Sequence, residues 1–362
     1  MTFIYDILGV PFGFVLRFFD NLIQLMNDGV GNYGLAIIAL TIFARLLMIP
    51  SSISQQKGMA KTQRMQAKLR KIQTKYAGNQ QKIQEETTAL YQREGVNPMG
   101  AGCGPMLLQF IPLFGLLGAI YYPLSHFLSS SEINEGQIEV LKTALLELAE
   151  AGKISVKSAS EKSIYNELYI VMNIDAIAEH LKNTGVAFSE SVIDSIRGTL
   201  ENGRWVGGIN LEFFGINLGY VPMEHKDIII KNAAGKSAIN WETFRLWLVP
   251  VCSFLSSMAS GVYSIIRQKK NSNSAAPGGA LMTGCMTFGL PLFSLYWVIT
   301  LPAAIGVYWT ASSLCGFVST LVLGYFYSPK KVMAKLMVEE TIERRSKEKH
   351  IKSITEIKEK KN

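Results

Sequence analysis

Five apolar stretches, each roughly as long as a helix that crosses a bilayer, constrain this chain more than any other feature. They are Tyr33–Ile49, Gly102–Leu124, Phe244–Ile266, Leu281–Thr300 and Ala303–Tyr327. Only Leu301 and Pro302 separate the last two, so we expect a tight hairpin between them. A chain of 362 residues with 48% hydrophobic residues and a net charge of +8 fits a membrane protein with basic loops. The sequence therefore predicts an all-α integral membrane protein with five transmembrane helices.

The distribution of charge predicts how these helices are oriented. Lys and Arg outnumber acids by nine to three in residues 51–101, by three to none in 267–280 and by eleven to six in 328–362. In residues 128–243 acids prevail, sixteen to ten. Basic loops favour the cytoplasmic side, and five spans alternate consistently with that bias. We expect the N-terminus and 128–243 outside, and 51–101, 267–280 and the C-terminal tail inside. The predicted transmembrane segments are 31–50, 102–127, 244–266, 281–300 and 303–327.

The N-terminal segment 1–30 has a different pattern. Polar and apolar side chains fall on separate faces of a helix. The polar side chains are Arg17, Asp20, Asn21 and Gln24, and the apolar ones are Phe14, Phe18, Leu22 and Leu25. A removable signal peptide does not fit, since no basic residue precedes the apolar run and no small-x-small cleavage site follows it. We expect an outside amphipathic helix in the membrane interface, although Ile7–Leu16 has no polar face and leaves a spanning helix open.

Arg45 is the one cation within the first apolar span. A charge at membrane depth is costly, about 2.5–3.5 kcal/mol on insertion scales, and usually faces a polar cavity. Arg45 precedes Pro50 by only five residues, however, so its long side chain could extend to the cytoplasmic interface instead. The segment alone leaves both interpretations open.

Residues 51–101 predict a cytoplasmic helical hairpin. Met65, Leu69, Ile72 and Tyr76 recur at coiled-coil spacing, and Gly78-Asn79 interrupts the pattern. The first arm is basic, with Lys57, Lys61, Arg64 and Lys68 among its cations. Attraction to anionic lipid, worth about 1 kcal/mol per residue near the surface, accounts for these charges. A docking arm for a partner or an incoming chain is the sharper alternative.

Residues 128–243 predict a compact extracytoplasmic domain, mainly helical and with a small core of its own. Its apolar patterning indicates four short helices. They are Gln137–Ala151, Ser160–Asn173, Ile174–Lys182 and Ser189–Asn202.

Polar and aromatic residues within the other spans are open to two interpretations. Gln109 can hydrogen-bond between helices or line the same cavity as Arg45. The serines between Ser253 and Ser264 can permit close helix packing or form a mildly polar groove wall. Trp309 lies deeper than a usual aromatic belt, so it either packs in the core or walls a cavity.

Catalytic chemistry is not indicated. The four histidines are dispersed without metal-ligand spacing, the four cysteines stand singly, and no phosphate-binding loop or Gly-x-Ser-x-Gly motif occurs. Ser312-Ser313 lacks an intramembrane His or Lys to act as a base. We therefore expect no enzyme, no catalytic residue, no cofactor, no metal and no specific nucleic-acid recognition.

The order of these parts resembles the YidC-type membrane protein insertases, over roughly residues 30–128 and 209–327. The specific pieces are Thr41-x-x-x-Arg45, Leu90-Tyr91, Val96-Asn97-Pro98-Met99-Gly100, Leu107-Leu108-Gln109, and Leu301-Pro302-Ala303 with Val307-Tyr308-Trp309. Five spans without a large N-terminal extracytoplasmic domain resemble the Gram-positive type. Gly100-Ala101-Gly102-Cys103 is one residue longer than the family's common Gly-Gly-Cys, and residues 128–208 exceed its usual length.

The resemblance implies a function and a site. Such proteins insert and help fold new membrane proteins, alone or with the Sec translocon, through a hydrophilic groove open to the cytoplasm and lipid. It implies that Arg45 lies in this groove, that Thr41 and Trp309 contact the client, and that the hairpin 51–94 helps receive it. Gln109 is a further candidate wall. The implied partners are nascent membrane proteins, the ribosome, the Sec translocon and anionic lipids, in a bacterial cell membrane. The alternatives are an anion-binding transporter, for which no internal repeat is present, and a structural membrane scaffold.

Overall fold

The computed structural model describes most of the chain. The described residues are 2–27, 30–93, 104–128, 132–154, 160, 163–201, 204–231, 237–271, 288–326, and 334–348 except 336, 340 and 343. The chain divides into two compact units. The first comprises residues 1–47, 108–263 and 284–316, and the second comprises 48–107, 264–283 and 317–362.

Helices account for most of the described residues, as expected for an all-α membrane protein. They are α1 Thr2–Met26, α2 Tyr33–Leu47, α3 Ile49–Lys75, α4 Gln80–Arg93, α5 Gly104–Tyr121, α6 Pro123–His126, α7 Glu135–Glu150, α8 Asn166–Met172, α9 Ile174–Thr184, α10 Glu190–Arg197, α11 Trp241–Asn271, α12 Leu290–Thr300 and α13 Ala303–Phe326. A 3₁₀ turn covers Pro222–Glu224.

Three helical segments among the described residues are long and apolar enough to cross a membrane: Ile7–Met26, Trp241–Ile266 and Ala303–Phe326. The other predicted spans contain shorter apolar helices, at Tyr33–Leu47, Phe110–Tyr121 and Pro291–Thr300. Part of the shortening is local, because α2 ends at Leu47 and α3 begins at Ile49 with Pro50 in its first turn. The number of spans therefore stays a prediction.

Helix α1 turns its polar face to the protein and its apolar face outward, the reverse of a helix lying at a water surface. Its polar side packs on the protein: Arg17 forms a bidentate ion pair with Glu132 at 2.6 and 2.7 Å, and the Asp20 carboxylate is buried. Phe14 and Leu25, on the apolar side, are exposed. An interfacial helix would instead turn its polar side to water. The amphipathic pattern is present, but its orientation suits a helix with lipid on its outer face.

Close backbone approach fixes α1 against the end of α5. A Cβ on Gly118 would lie 2.8 Å from the Gly9 Cα and 2.7 Å from the Tyr5 carbonyl oxygen. No real side chain tolerates such contacts with backbone atoms, so this crossing requires glycine. The Tyr33 hydroxyl of α2 adds a hydrogen bond of 3.0 Å to the Ala119 carbonyl.

We call residues 128–243 the insert, and its described residues form four helices, three small hairpins and the 3₁₀ turn before α11 begins. The helices α7, α8, α9 and α10 occur at the four expected places, and Asn134 with Gln137 forms a capping box at the start of α7. The antiparallel hairpins pair β1 Thr199–Glu201 with β2 Arg204–Val206, β3 Glu212–Phe213 with β4 Ile216–Asn217, and β5 Ile229–Lys231 with β6 Ser237–Ile239.

The prediction of a helix over residues 189–202 is wrong for its second half. Helix α10 ends at Arg197 because Gly198 adopts a positive φ of 85°. A Cβ at this position would lie 2.7 Å from the Val206 carbonyl oxygen. Glycine therefore turns the chain out of the helix and into β1, which pairs with β2.

The insert shares its core with the apolar helices of the first unit. One continuous cluster includes Ile37 of α2, Ile120 of α5, Leu141 of α7 and Ile177 of α9, all completely or almost completely buried. We expected a core belonging to the insert alone. Apolar burial on both sides of the junction instead joins the two parts into one packed body.

A charged side chain also fixes this junction. Glu167 of α8 is 3% exposed and accepts hydrogen bonds of 2.9 Å from the backbone N–H groups of Leu124 and Ser125. Its other oxygen accepts a bond of 2.6 Å from the Ser125 hydroxyl. The carboxylate thus satisfies the N–H groups at the start of α6, which no helical carbonyl can reach.

In the second unit, α3 and α4 form two helical arms joined by a turn. Gly78 has a φ of 93°, and the Asn79 side chain accepts a hydrogen bond of 3.1 Å from the Lys82 backbone N–H. Met65 is buried, and the other seam residues of both arms are half-buried. The helical hairpin therefore has the position and turn that the sequence predicts.

The turn at Leu301-Pro302 is tied to the insert. The backbone N–H groups of Ala303 and Ala304, at the start of α13, donate to the carbonyl oxygens of Tyr220 and Leu218 at 2.9 and 3.0 Å. These groups have no partner within their own helix. The insert therefore holds one end of α13 in place.

Candidate functional site

Arg45 is held between α2 and α13. It lies two residues before the end of α2, and its Nη2 donates a hydrogen bond of 2.5 Å to the Ser312 hydroxyl. Its guanidinium atoms lie 3.9 Å from the position a Cβ on Gly316 would occupy. This geometry favours a packed polar site over a side chain extended along its own helix towards Pro50.

The partner residues of Arg45 lie on one face of α13. Tyr308, Ser312 and Gly316 are spaced by four residues, so they stack along that face. Ser312 is 3% exposed, and the buried Tyr308 lies one turn before it. The bond between Arg45 and Ser312 therefore lies in otherwise apolar surroundings.

Serine hydroxyls extend this polar region from α13 to α11. We call Arg45, Ser312, Ser313 and Ser257 the polar strip. The Ser257 and Ser313 hydroxyl oxygens are 3.0 Å apart. Ser253, one turn before Ser257, is 1% exposed, and among the described residues its hydroxyl oxygen has no hydrogen-bond partner. Small hydroxyl residues here allow close approach of the two helices and also supply polar groups beside Ser312. The contact between Ser257 and Ser313 shows the close packing of the two helices, and a role for these serines as a groove wall stays a prediction.

The other expected groove residues take different positions. Thr41 is 2% exposed, and its hydroxyl donates to the Ile37 carbonyl of its own helix at 2.7 Å. Trp309 is half-buried and packs against the hydrophobic core. Gln109 belongs to α5, but its side chain lies outside the described residues. The structure thus brings Arg45 to Ser312 and does not bring Thr41 or Trp309 into a hydrogen bond with Arg45.

The basic residues of the hairpin are placed only in part. Lys57, Lys61 and Arg64 belong to α3, but their side chains lie outside the described residues. Lys68 is exposed on the same helix. Their role as contacts for a client or for lipid stays a prediction.

Sequence reasoning missed the closest partner of Arg45. The sequence suggests Ser312 only as a nucleophile, and it does not mark Tyr308 or Gly316 as parts of a site. A signal was present, since polar or small residues recur every four positions along α13. That spacing shows which residues share a face, but not that the face meets Arg45, 267 positions earlier in the chain.

A cavity of about 410 Å³ lies in the first unit, lined by α1 and the insert. Arg17 and Glu132 line it and are paired with each other. Asp194 also lines it and is paired with Arg197 at 3.1 Å. Because its charges satisfy one another, this cavity is a weaker candidate than the site around Arg45.

The apolar helices, two of which are joined by a hydrogen bond between a cation and a hydroxyl group, define a multi-pass membrane protein. Comparison with known proteins gives the family. The sequence profile described as 60Kd inner membrane protein matches residues 25–184. The membrane protein insertase YidC of Caldanaerobacter subterraneus is 33% identical over 166 residues, which are 43% of this chain and 79% of that protein. The chain belongs to this YidC family of membrane proteins.

Other relatives match over shorter segments. YidC of Oceanobacillus iheyensis is 47% identical over 98 residues, 26% of this chain and 37% of that protein. MisCA of Bacillus subtilis, also named a membrane protein insertase, is 45% identical over 93 residues, 25% of this chain and 35% of the relative. The match to the Fusobacterium nucleatum YidC spans 55% of that protein. The chain thus aligns with about a third to a half of several relatives, and α13 lies beyond the match of the family profile.

Proposed function

We propose that this protein is a membrane protein insertase, and that the polar strip around Arg45 is part of a hydrophilic groove that receives the client. In this proposal the groove opens to the cytoplasm and to lipid. Thr41, Gln109 and Trp309 lie along the path of the client. The relatives named as insertases support the activity, and the arrangement of α2 and α13 supports the place.

The bond from Arg45 to Ser312 is the observation that carries the proposal. This bond fixes the guanidinium between α2 and α13. A charge placed in apolar surroundings is costly, and such residues usually serve a function. A structural role alone would be met by an apolar side chain at lower cost.

The chemistry of insertion then follows from solvation. A hydrated groove reaching part of the way through the bilayer shortens the hydrocarbon barrier for the polar flank of the client. The guanidinium of Arg45 attracts an acidic flank into the groove. The apolar helix of the client leaves sideways into lipid, which is favourable by about 0.3–0.6 kcal/mol per large aliphatic residue. No step in this scheme needs bond chemistry, a cofactor or a metal, so the proposed role is not enzymatic.

The proposed partners follow from the same scheme. Nascent membrane proteins are the clients, and the ribosome and the Sec translocon are expected suppliers. The basic arm of the hairpin, with Lys57, Lys61, Arg64 and Lys68, lies on the cytoplasmic side, where anionic lipid or an incoming chain can bind. In the proposed topology α1 does not cross the bilayer, so the N-terminus is outside and the C-terminus is cytoplasmic.

Reconstitution tests this function directly. Purified protein in liposomes of defined lipid receives a short single-span client with an acidic translocated flank, with no translocon present. Protection of the flank from added protease measures insertion. Efficient insertion supports the proposal. Flux of small anions without client insertion would make the protein a transporter, and the absence of both would leave a scaffold.

A matched pair of variants links the activity to the site. Ser312→Ala removes the hydroxyl bonded to Arg45. Ser294→Ala removes another buried hydroxyl, whose hydrogen bond is made to the Pro291 carbonyl of its own helix. If the polar strip binds the client, only the first should lower insertion of acidic-flank clients. Equal losses in both would speak against a role for the strip.

A further inference from the structure

Four large apolar side chains are exposed near the Trp241 end of α11. They are Phe214 at 81%, Ile229 at 70%, Trp241 at 60% and Ile239 at 49% exposure, and we call them the Trp241 collar. Scattered apolar residues on a surface need no explanation, but a cluster of this size usually marks a binding surface. The elements that carry the collar decide what it binds.

Ile229 and Ile239 lie on one face of the β5–β6 hairpin. They are opposite each other in the antiparallel register, so their side chains point to the same side. The hairpin is joined directly to α11, because the Asn240 N–H donates to the Ile228 carbonyl and the Phe244 N–H to Asn240, both at 2.8 Å. These bonds set the apolar face of the hairpin at the start of α11.

Phe214 reaches the same end of α11 by another route. It stands at the tip of the β3–β4 turn with a φ of 50°, a conformation that residues other than glycine rarely adopt. The next residue, Gly215, lies against Arg245 in the second turn of α11, with the guanidinium carbon 3.6 Å from its Cβ position. The backbone accepts an unfavourable conformation here and presents an aromatic ring outward.

The collar is continuous with an exposed apolar stripe along α11. Phe244, Leu248, Val251 and Leu255 follow at spacings of four, three and four residues, and all are exposed. Such a stripe faces lipid when a helix of this length and apolarity crosses a membrane. The collar therefore lies where the lipid-facing surface of α11 meets the polar boundary of the bilayer. Aromatic and large apolar side chains are favoured at that boundary.

We propose that the Trp241 collar is a lipid-binding surface that anchors the insert in the interfacial layer of the bilayer. Its partner is the headgroup and upper acyl-chain region of the lipids around the start of α11. Phe214, Ile229 and Ile239 enter this layer beside the start of the helix. The anchor also limits tilting of the insert, which holds the start of α13 through Tyr220 and Leu218. This inference stands independently of the insertase function.

Fluorescence quenching in nanodiscs tests the anchor. In a background with the four native cysteines replaced by serine, single variants Phe214→Cys and Ile229→Cys are labelled with an environment-sensitive dye. Glu190→Cys, on the exposed side of α10, serves as the control for water, and Leu255→Cys serves as the control for lipid. Each disc holds one protein, so a second copy cannot cover the collar. Aqueous iodide and lipids brominated on the acyl chains are the two quenchers.

We expect iodide to quench the dye at positions 214 and 229 several-fold less than at 190, and brominated lipid to quench it nearly as well as at 255. Equal iodide quenching at 190, 214 and 229 would overturn the anchor. Protection from iodide without quenching by brominated lipid would also overturn it, because protein would then cover the collar. A second measurement uses intrinsic tryptophan fluorescence and needs no dye. Trp241→Phe should lower the fraction of tryptophan emission that brominated lipid quenches. An unchanged fraction counts against the proposal.

Discussion

Two regions of the first unit hold charged groups in apolar surroundings in different ways. Where the insert meets α1 and α6, charges have charged or backbone partners: Arg17 pairs with Glu132, and Glu167 accepts three hydrogen bonds at the start of α6. Between α2 and α13, Arg45 is instead bonded to the neutral hydroxyl of Ser312. The first region uses its charges to join two parts of the protein.

In the proposed function, the contrast separates structural charges from a functional one. An ion pair such as Arg17–Glu132 closes on itself and has little left to offer a ligand. In the proposed function, the bond to Ser312 holds the guanidinium where a client that carries a carboxylate can bind it. Variants in the two regions should accordingly change different measurements, stability at the insert and activity at Arg45.

Arg45→Ala should have the largest effect. Loss of a charge-assisted contact worth about 1.5–3 kcal/mol predicts about tenfold or greater loss of insertion for clients with acidic translocated flanks. Clients with neutral flanks should lose less, because they do not use the charge. The measurement is protease protection of several reconstituted clients. Normal insertion of all acidic-flank clients would remove the distinction between the two regions.

Glu132→Gln should affect stability and leave insertion intact. The variant breaks the bidentate pair with Arg17, which is about a quarter to a third exposed, and should cost about 1 kcal/mol in free energy of unfolding. The control is Glu139→Gln, which removes a more exposed pair with Lys142 at 3.6 Å and should cost almost nothing. Chemical unfolding followed by helicity measures both. A loss of insertion in well-folded Glu132→Gln protein would show that this region also serves the client.

Ser312→Ala tests whether the hydroxyl acts by orienting Arg45. Arg45 keeps its charge but loses the bond that orients it, so we expect about a threefold loss of insertion with acidic-flank clients. Combined with Arg45→Ala, the second change should add little, because the two residues act through one contact. Fully additive losses in the double variant would mean that Ser312 acts on its own.

Glu167 gives a pH-dependent test of the insert region. Burial raises the pKa of the Glu167 carboxyl above its ordinary value of 4.5, although its hydrogen bonds with Ser125 and Leu124 act in the opposite direction. The folded protein thus holds the proton more tightly than the unfolded chain. The stability from this group is fully present below pH 4.5 and is lost as the pH rises through the folded pKa.

Glu167→Gln should remove that pH dependence, since an amide can accept both backbone bonds and donate to the Ser125 hydroxyl. Thermal unfolding of the two proteins should agree in acid and diverge as the pH rises, with the variant more stable. Glu190→Gln, an exposed change on α10, is the control. Curves for wild type and Glu167→Gln that stay parallel at all pH values would show that the carboxyl proton is not linked to folding.

The sequence by itself determined the local features of this protein. Apolar runs predicted a helical membrane protein, Gly78-Asn79 predicted the turn between α3 and α4, and Leu301-Pro302 predicted the turn before α13. The order of motifs identified the family. These features depend on residues close together in the chain, where periodicity and turn chemistry act directly.

Only the tertiary structure decided which distant residues meet. The sequence identified Arg45 but not Ser312, because nothing local shows which face of α13 turns towards α2. It gave the insert a separate core, whereas packing joins the insert to the membrane helices through residues such as Ile120 and Ile177. The polar face of α1 also turned inward, to Glu132 rather than to water. In each case the local sequence pattern is compatible with several packing arrangements. Burial and hydrogen bonding between distant segments determine which of them forms.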